Sequence, residues 1–444
     1  MLLDARAISL YNGNKCRKIR KKEQPMNITG IIAEYNPFHG GHSFHIKEAK
    51  KQTGADYCVV VMSGDFVQRG EPAIFSKYLR TKMALAKGAD LVVEMPSVFA
   101  VSSAEDFAAC GVMLLERLGA VTHLCFGSEE GDIAGIQMAA GIFSKETPAF
   151  SARLQEGLKK GLSWPQARSQ ALGALTADQD SVGAQRINRL LLSPNNLLGI
   201  EYCKAILRFG SSLRPVTIQR KGNGYHDSAI EGGQASASAI RRSLTEKGDC
   251  GKASTLSFKA HVPEEVLTLY HQGRILGPED GAALLNYRLL TLLHEGADLT
   301  AYWDVSKELA DRLKKRLLEY DGWEGRIRQL KTRQYTYTRI SRALTHILLG
   351  ITDAQISQAK EAGYASYARI LGFRREAGPL LSALKAHSQI PLITKTADVS
   401  RLLTGAALEL FYQDIYASHI RQSMETAKYG GPVQNEYNQP ICII

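Results

Sequence analysis

The chain predicts a doubly wound α/β domain followed by a mainly α-helical region. Three observations carry that expectation. Apolar runs recur roughly thirty residues apart over the first third of the chain, the length of a strand–helix–strand unit. A glycine turn bearing two histidines follows the first of these runs directly. Beyond Val262 the apolar spacing becomes that of long helices, as in VLTLYHQG, LLNYRLLTLLH and LTHILLGIT.

Taken in order, strands are expected near Ile28 to Ala33, Tyr57 to Met62, Leu91 to Met95 and Val121 to Phe126. Helical patterns lie between them, around Ser43 to Gln52, Lys77 to Lys87 and Ala104 to Arg117. The strands read as continuous apolar runs, which suits a parallel sheet covered by helices on both faces. A ligand then belongs beyond the strand C-termini, where His39, Gly64, Pro96 and Gly127 all fall. Residues from about Gly131 to Tyr202 look mainly helical, SPNNLLGIEY forms a capped turn, and Val216 onwards reads as another strand. A last helix restarts at Ala235, and glycines and charges around Lys247 to Lys252 mark a boundary. The expected division is 1–25, a basic N-terminal extension, disordered or not native; 26–246, a catalytic domain; and 247–444, a mainly helical domain.

At 444 residues, with 44% hydrophobic and 22% charged residues, the composition is that of a globular protein with more than one core. A formal charge of +11 favours a polyanionic partner without saying which. Part of that charge sits in KCRKIRKK, ahead of the second methionine, Met26, and carries no functional weight. The seven cysteines show no paired spacing and suit reduced thiols. With neither a long apolar span nor a secretory pattern, a cytoplasmic location and no membrane association are expected.

His39 and His42 are the leading catalytic candidates. If a helix begins near Gly41, both imidazoles lie around its first turn, where backbone N–H groups without intrahelical partners favour a phosphate. The plainer alternative is a cap and a surface group. No nearby His, Cys or Asp cluster repeats a ligand spacing, so no metal site is expected, and G-x-x-x-x-G-K-[ST] is absent. Other polar positions fall in register with this turn. Arg69 suits a phosphate or RNA, or a surface ion pair. Lys77, in SKYLRTKMA, suits an anion or simply solubilises its helix. Gly127 suits the approach of a nucleotide or a structural turn; Asn195 suits a base edge or a helix cap; Arg220 and Lys221 suit a phosphate. Ser236, Ser238 and Arg241 suit a second phosphate cradle at a helix start, or a serine cap with an exposed arginine. In the helical half, Arg339 and Arg342 with Tyr335 and Tyr337 suit RNA, by phosphate contact and base stacking, or an ordinary solvated face with boundary aromatics.

The colinear series GIIAEYNPFHGGH, MSGDFVQRGEP, SKYLRTKMALAKGADLVVE, FGSEEGD, SPNNLLGIEY and GYHD resembles the bacterial tRNA(Met) cytidine acetate ligase family, within the HIGH-type nucleotidyltransferase superfamily. The likeness runs from about Met26 through the catalytic half and, more loosely, through YTRISRALTHILLGI to YARILGF. It implies a Rossmann-like HIGH-type domain followed by an RNA-binding helical region. It also implies activation of acetate by ATP as acetyl-adenylate, then acetyl transfer to N4 of the wobble cytidine of elongator tRNA(Met), with release of AMP and pyrophosphate and no acetyl-CoA. The partners implied are acetate and the anticodon region of that tRNA, without an obligate protein partner. Magnesium is expected with ATP, although the chain shows no strong carboxylate site for it. The ATP contacts implied are Ile32, Ala33, Glu34, Tyr35, Asn36, Pro37, Phe38, His39, Gly40, Gly41, His42, Ser43, Phe44 and His45, then Gly127, Asn195, Arg220 and Lys221. At Gly40 the family pattern often has another residue. Two other functions compete: nucleotidyl transfer to a small metabolite, which leaves the basic helical half unused, and a catalytically silent RNA binder, which leaves the histidine turn unexplained.

Overall fold

The computed structural model describes residues 26–144, 148–162, 166–167, 170–171, 181–220, 236–245, 259–332 and 335–444. The basic extension, Lys221 and GYHD lie outside these residues. The chain alternates β1 (Ile28–Ala33), α1 (Gly40–Thr53), β2 (Tyr57–Ser63), α2 (Lys77–Ala86), β3 (Leu91–Met95), α3 (Ala104–Arg117) and β4 (His123–Ser128). After a helical stretch come α4 (Pro194–Phe209), β5 (Arg214–Gln219) and α5 (Ala237–Thr245). The strands lie parallel in the order β3-β2-β1-β4-β5.

Side chains alternate across this sheet, as a strand period of two requires. Ile28, Ile32, Val59 and Val61 pack on the face covered by Phe107 of α3 and Ile200 of α4. Ile31, Cys58, Val60 and Met62 pack on the other, beneath Ile46 of α1 and Met83 of α2. With both faces buried, the strands have no polar side, hence their continuous apolar sequences. Strand order reverses between β1 and β4, and a crevice opens beyond their C-terminal ends.

The C-terminal half is mainly helical, with α6 (Tyr337–Leu349) and α7 (Gly405–Tyr429), but it also completes the sheet. In it, β6 (Ala368–Phe373) pairs antiparallel with β3, while β7 (Leu392–Ile393) and β8 (Cys442–Ile443) pair parallel with β6. One apolar core therefore contains Ile32, Leu344 and Phe411 together, and the sheet takes strands from both sides of residue 247; the expected boundary at Lys247 to Lys252 lies outside the described residues. Burying the β3 edge satisfies a row of backbone groups that would otherwise template aggregation. Among the described residues no helix is long and apolar enough to cross a membrane.

Two of the contacts that tie the halves together bear on residues expected in the site. Lys77, expected to face an anion or RNA, has 0% exposure. Its ammonium lies 2.8 Å from Glu94 Oε1 and 2.6 Å from Glu436 Oε1, and donates to Ser418 Oγ at 2.8 Å. A charge sealed from solvent among carboxylates cannot reach a nucleic acid, so the expectation for Lys77 is corrected to a structural role. Arg369 of β6 completes the cluster, 3.1 Å from Glu94 and 2.8 Å from Glu436.

The second contact is at Gly70, in the loop that carries Gln68 and Arg69. Its carbonyl accepts from Ser341 Oγ at 2.6 Å and Thr345 Oγ1 at 2.8 Å, both on α6. Gly70 has φ +74°, and a Cβ there would overlap the backbone of Ser341 and Arg342. Left-handed backbone alone costs a non-glycine residue about 1–3 kcal/mol. Gly70→Ala is therefore expected to lower stability by more than that strain, read as a fall in the urea midpoint.

Candidate active site

Beyond β1 the chain turns through Tyr35, with φ 49°, and a cis Asn36–Pro37 peptide into α1. Asn36 fixes the turn: its Oδ1 accepts from the Ile74 N–H at 2.8 Å, and its carbonyl accepts from Arg241 Nη1. His39, extended at φ −142°, is the N-cap of α1. The Gly41 N–H donates to His39 Nδ1 at 3.0 Å, and the His39 N–H donates to His42 Nδ1 at 3.2 Å. The two histidines thus form a reciprocal capping box, a pattern usually made by Ser or Thr with Glu. Their rings stack with centroids 3.9 Å apart.

That arrangement settles the tautomers. A nitrogen that accepts from a backbone N–H carries no proton, so each neutral ring keeps its proton on Nε2. Burial, then Arg220, His261 and Arg241, lowers the His39 pKa to about 3. Burial, then His39, Arg220 and His45, holds His42 well below its usual value, and burial, then Arg220, brings His45 to about 4. Near neutral pH these rings are uncharged. His39 and His42 then present Nε2–H donors held by a helix start.

One expectation is corrected here. The first backbone N–H groups of α1 are not left for a phosphate. Gly40 donates to the His261 carbonyl at 2.8 Å, Gly41 to His39 Nδ1, and His42 and Ser43 to the His39 carbonyl at 3.0 and 3.2 Å. The imidazoles take over the donor role, while the helix dipole still favours negative charge.

A cavity of about 280 Å³ opens in front of these rings. It gathers Ile32, Ala33, Glu34, Tyr35, Asn36, His39, Gly41, His42, Phe44 and His45 from the first turn, with Gly127, Asn195, Arg220, Ser236, Ser238, Arg241 and Arg69. Gly127 pairs with Ile218 across β4 and β5, and a Cβ there would press on Arg220 Cγ at 3.3 Å. Asn195 lies in the first turn of α4, where Glu129 accepts from its Nδ2 at 2.6 Å and from the Asn196 N–H at 3.0 Å. That fixes the amide and leaves its oxygen as an acceptor. Ser236 Oγ caps α5 by accepting from the Ala239 N–H at 3.1 Å, and Arg241 Nη2 donates to Ser238 Oγ at 3.2 Å. Arg69, Arg220 and Arg241 bring three guanidinium groups to one cavity, the charge that a polyphosphate needs.

Four residues of the expected ATP run do not line the cavity: Pro37, Phe38, Gly40 and Ser43. Phe38 is core, and its carbonyl accepts from Tyr270. Gly40 instead backs onto His261. Arg339 and Arg342 also lie away from it: Arg339 stacks over Tyr335 at 4.8 Å, and Arg342 pairs with Asp304 at 3.3 Å. The residues missed in the sequence are chiefly apolar: Phe107, Phe126, Leu198, Tyr202 and Ile218 line the cavity from α3, β4, α4 and β5. As single apolar residues they look like ordinary core. Gln68 and Gln219 complete the lining with Ala237. Cys58 and Cys125 are buried free thiols, and burial pushes Cys125 up to about 12. Among the described residues no group of three or more His, Cys, Asp or Glu is placed to hold a metal ion.

Comparison with known proteins agrees with this geometry. The family model described as HIGH Nucleotidyl Transferase matches residues 26–434. The tRNA(Met) cytidine acetate ligase of Acetivibrio thermocellus is 39% identical over 403 residues, 88% of this chain and 94% of that protein. Its counterpart from Bacillus licheniformis is 37% identical over 407 residues, 90% of this chain and 94% of the relative. The crystal structure of Thermotoga maritima TmcAL bound with alpha-thio ATP superimposes with a TM-score of 0.82 at 27% identity, covering 94% of this chain and all 100% of that one. A switch-point crevice entered by a histidine-capped helix, matched over nearly the whole chain by these relatives, places the protein in the tRNA(Met) cytidine acetate ligase family of HIGH nucleotidyl transferases.

Proposed function

We propose that this protein ligates acetate to N4 of the wobble cytidine of elongator tRNA(Met), using ATP and releasing AMP and pyrophosphate. The observation that carries the reading is the pair of neutral imidazoles, Nδ1 engaged and Nε2–H free to donate, at the mouth of a crevice ringed by arginines.

In the first step an acetate oxygen attacks the α-phosphorus of ATP and the bond to the β-phosphate breaks. Negative charge grows on the departing pyrophosphate, where His39 and His42 donate through Nε2 and the α1 dipole points. Donors already oriented before the reaction stabilise that charge without reorganising. Arg220, Arg241 and the Ser236–Ser238 turn hold the phosphates, while Gly127 and Asn195 admit the nucleoside. In the second step the cytidine amine attacks the acetyl carbon and AMP leaves. Magnesium is proposed to arrive on the ATP phosphates, and acetyl-CoA to be unnecessary because acetate itself is activated. The helical half is proposed to dock the anticodon region, with Arg339 and Arg342 among its contacts and Arg69 nearer the crevice. The setting proposed is the cytoplasm.

The test is direct. The purified chain is incubated with ATP, labelled acetate and unmodified elongator tRNA(Met), and the RNA is digested to nucleosides. N4-acetylcytidine that depends on both ATP and acetate, and maps to the wobble position, is the expected product. ATP–pyrophosphate exchange that ignores acetate but responds to a phosphorylated metabolite would replace this reading with small-molecule nucleotidyl transfer.

A further inference from the structure

Acetyl transfer to cytidine requires that a proton leave the amine, and neither His39 nor His42 can accept it: their Nδ1 atoms are filled by backbone N–H groups and their Nε2 atoms carry protons. His45 also lines the cavity, but a proton there would set a new cation near Arg220 in a buried site. Among the described residues lining the cavity, one carboxylate remains, Glu34. Resting on the ligation proposed above, we propose that Glu34 is the general base of the second half-reaction, taking the proton from cytidine N4 as the nitrogen attacks the acetyl carbon.

The position of Glu34 is fixed at both its backbone and its side chain. Its carbonyl accepts from Arg80 Nη1 at 2.6 Å, and its Oε1 accepts from the Gln68 N–H at 2.8 Å. Arg80 is itself fully buried. Gln68 belongs to the loop whose Gly70 carbonyl is clamped by Ser341 and Thr345 of α6. The carboxylate is thereby oriented by the helical half as well as by the sheet, and its second oxygen is left for chemistry. A catalytic group held by a supporting shell keeps the geometry that proton transfer needs. Phe107 and Phe126, both buried, line the same cavity and limit the water that would otherwise hydrolyse an acyl-adenylate.

The step balances without another reactant. The N4 lone pair forms the C–N bond to the acetyl carbon, and one N–H proton passes to the Glu34 carboxylate. The carbon–oxygen bond to the phosphate breaks, AMP leaves with that electron pair, and Glu34 returns its proton to solvent. AMP leaves as a phosphate anion and needs no acid.

Glu34→Gln keeps an oxygen to accept from the Gln68 N–H and removes the base. Two rates are compared on the full chain: acetyl transfer to elongator tRNA(Met), and acetohydroxamate formation from ATP, acetate and hydroxylamine. Hydroxylamine is a strong nucleophile that needs no base, so it reports activation alone. Transfer is expected to fall about 100-fold further than hydroxamate formation, within the usual range for a general base. Glu34→Asp, which retains a carboxylate, is expected to transfer measurably faster than Glu34→Gln. Equal loss of both rates, no loss of transfer, or an aspartate variant no better than the glutamine one overturns the assignment. Should Glu34→Gln not fold, the aspartate variant decides alone: transfer that falls no further than its hydroxamate rate, although the carboxylate has been displaced, overturns it. A wild-type chain that makes no acetohydroxamate overturns the acetate reading itself, and the role of Glu34 with it.

Discussion

His39→Asn is expected to lower acetate-dependent ATP–pyrophosphate exchange by about 10²–10³-fold, the usual cost of removing one preorganised donor from a charge-stabilising site. The same variant should melt close to the wild type. An asparagine oxygen can accept from the Gly41 N–H in place of His39 Nδ1, and asparagine is among the best N-caps. What asparagine cannot supply is the Nε2–H proposed to stabilise the departing pyrophosphate. His39→Ala removes both functions, and should add a loss of about 1 kcal/mol in stability to the same loss of rate. An asparagine variant that exchanges within a few-fold of wild type would reduce His39 to a cap. The pH dependence gives a second check. Burial holds the folded-state pKa of His39 near 3, so its ring gains no proton as the pH falls through the usual histidine range. Exchange should therefore show no inflection near neutral pH attributable to this residue.

Much of this site is local, and local features are the ones a sequence displays. The strand, the Asn-Pro stop and the histidine turn lie within Gly30 to His42, so the nucleotide end of the crevice was legible. The parallel strands were legible because burial on both faces leaves uninterrupted apolar runs. What escaped depends on distant partners. ARILGF in β6 is a short apolar run that reads equally as buried helix or strand, and only pairing with β3 decides between them. The backbone N–H groups of α1 looked available to a phosphate because the carbonyl that takes one of them belongs to His261, far along the chain. Phe107, Phe126 and Tyr202 come from α3, β4 and α4, and no spacing within one element marks them as a shared wall. Glu34 lay inside the recognised motif, yet its orientation comes from Gln68 and, through Gly70, from α6.

Lys77 is the clearest case of a charge whose meaning is set by its surroundings, and Lys77→Met should be among the most destabilising single changes in the chain. In SKYLRTKMA it resembles any solvated helix lysine, but Glu94 comes from β3 and Glu436 from the C-terminal segment. Removing the ammonium leaves Arg369 alone to face two buried carboxylates, and breaking such a cluster costs about 3–5 kcal/mol. Urea unfolding should report that loss, while tRNA affinity and its salt dependence, measured on folded protein, should stay as in the wild type. Weaker affinity with a shallower salt dependence would return Lys77 to the nucleic-acid surface. Pairing the change with Glu436→Gln removes opposite charges together and should recover part of the stability, whereas additive losses would deny the coupling. The sign of the pH effect follows from Glu436. Burial alone would raise its pKa, but Lys77 and Arg369 hold it at about 2, below the ordinary value of 4.5. A depressed folded-state pKa gives stability that is fully present above the unfolded value and is lost as pH falls through the folded one. The gap between wild type and Lys77→Met should accordingly be widest near neutral pH and narrow on acidification from 4.5 towards 2. A gap that widens in acid would show that Lys77 does not stabilise the ionised form of Glu436.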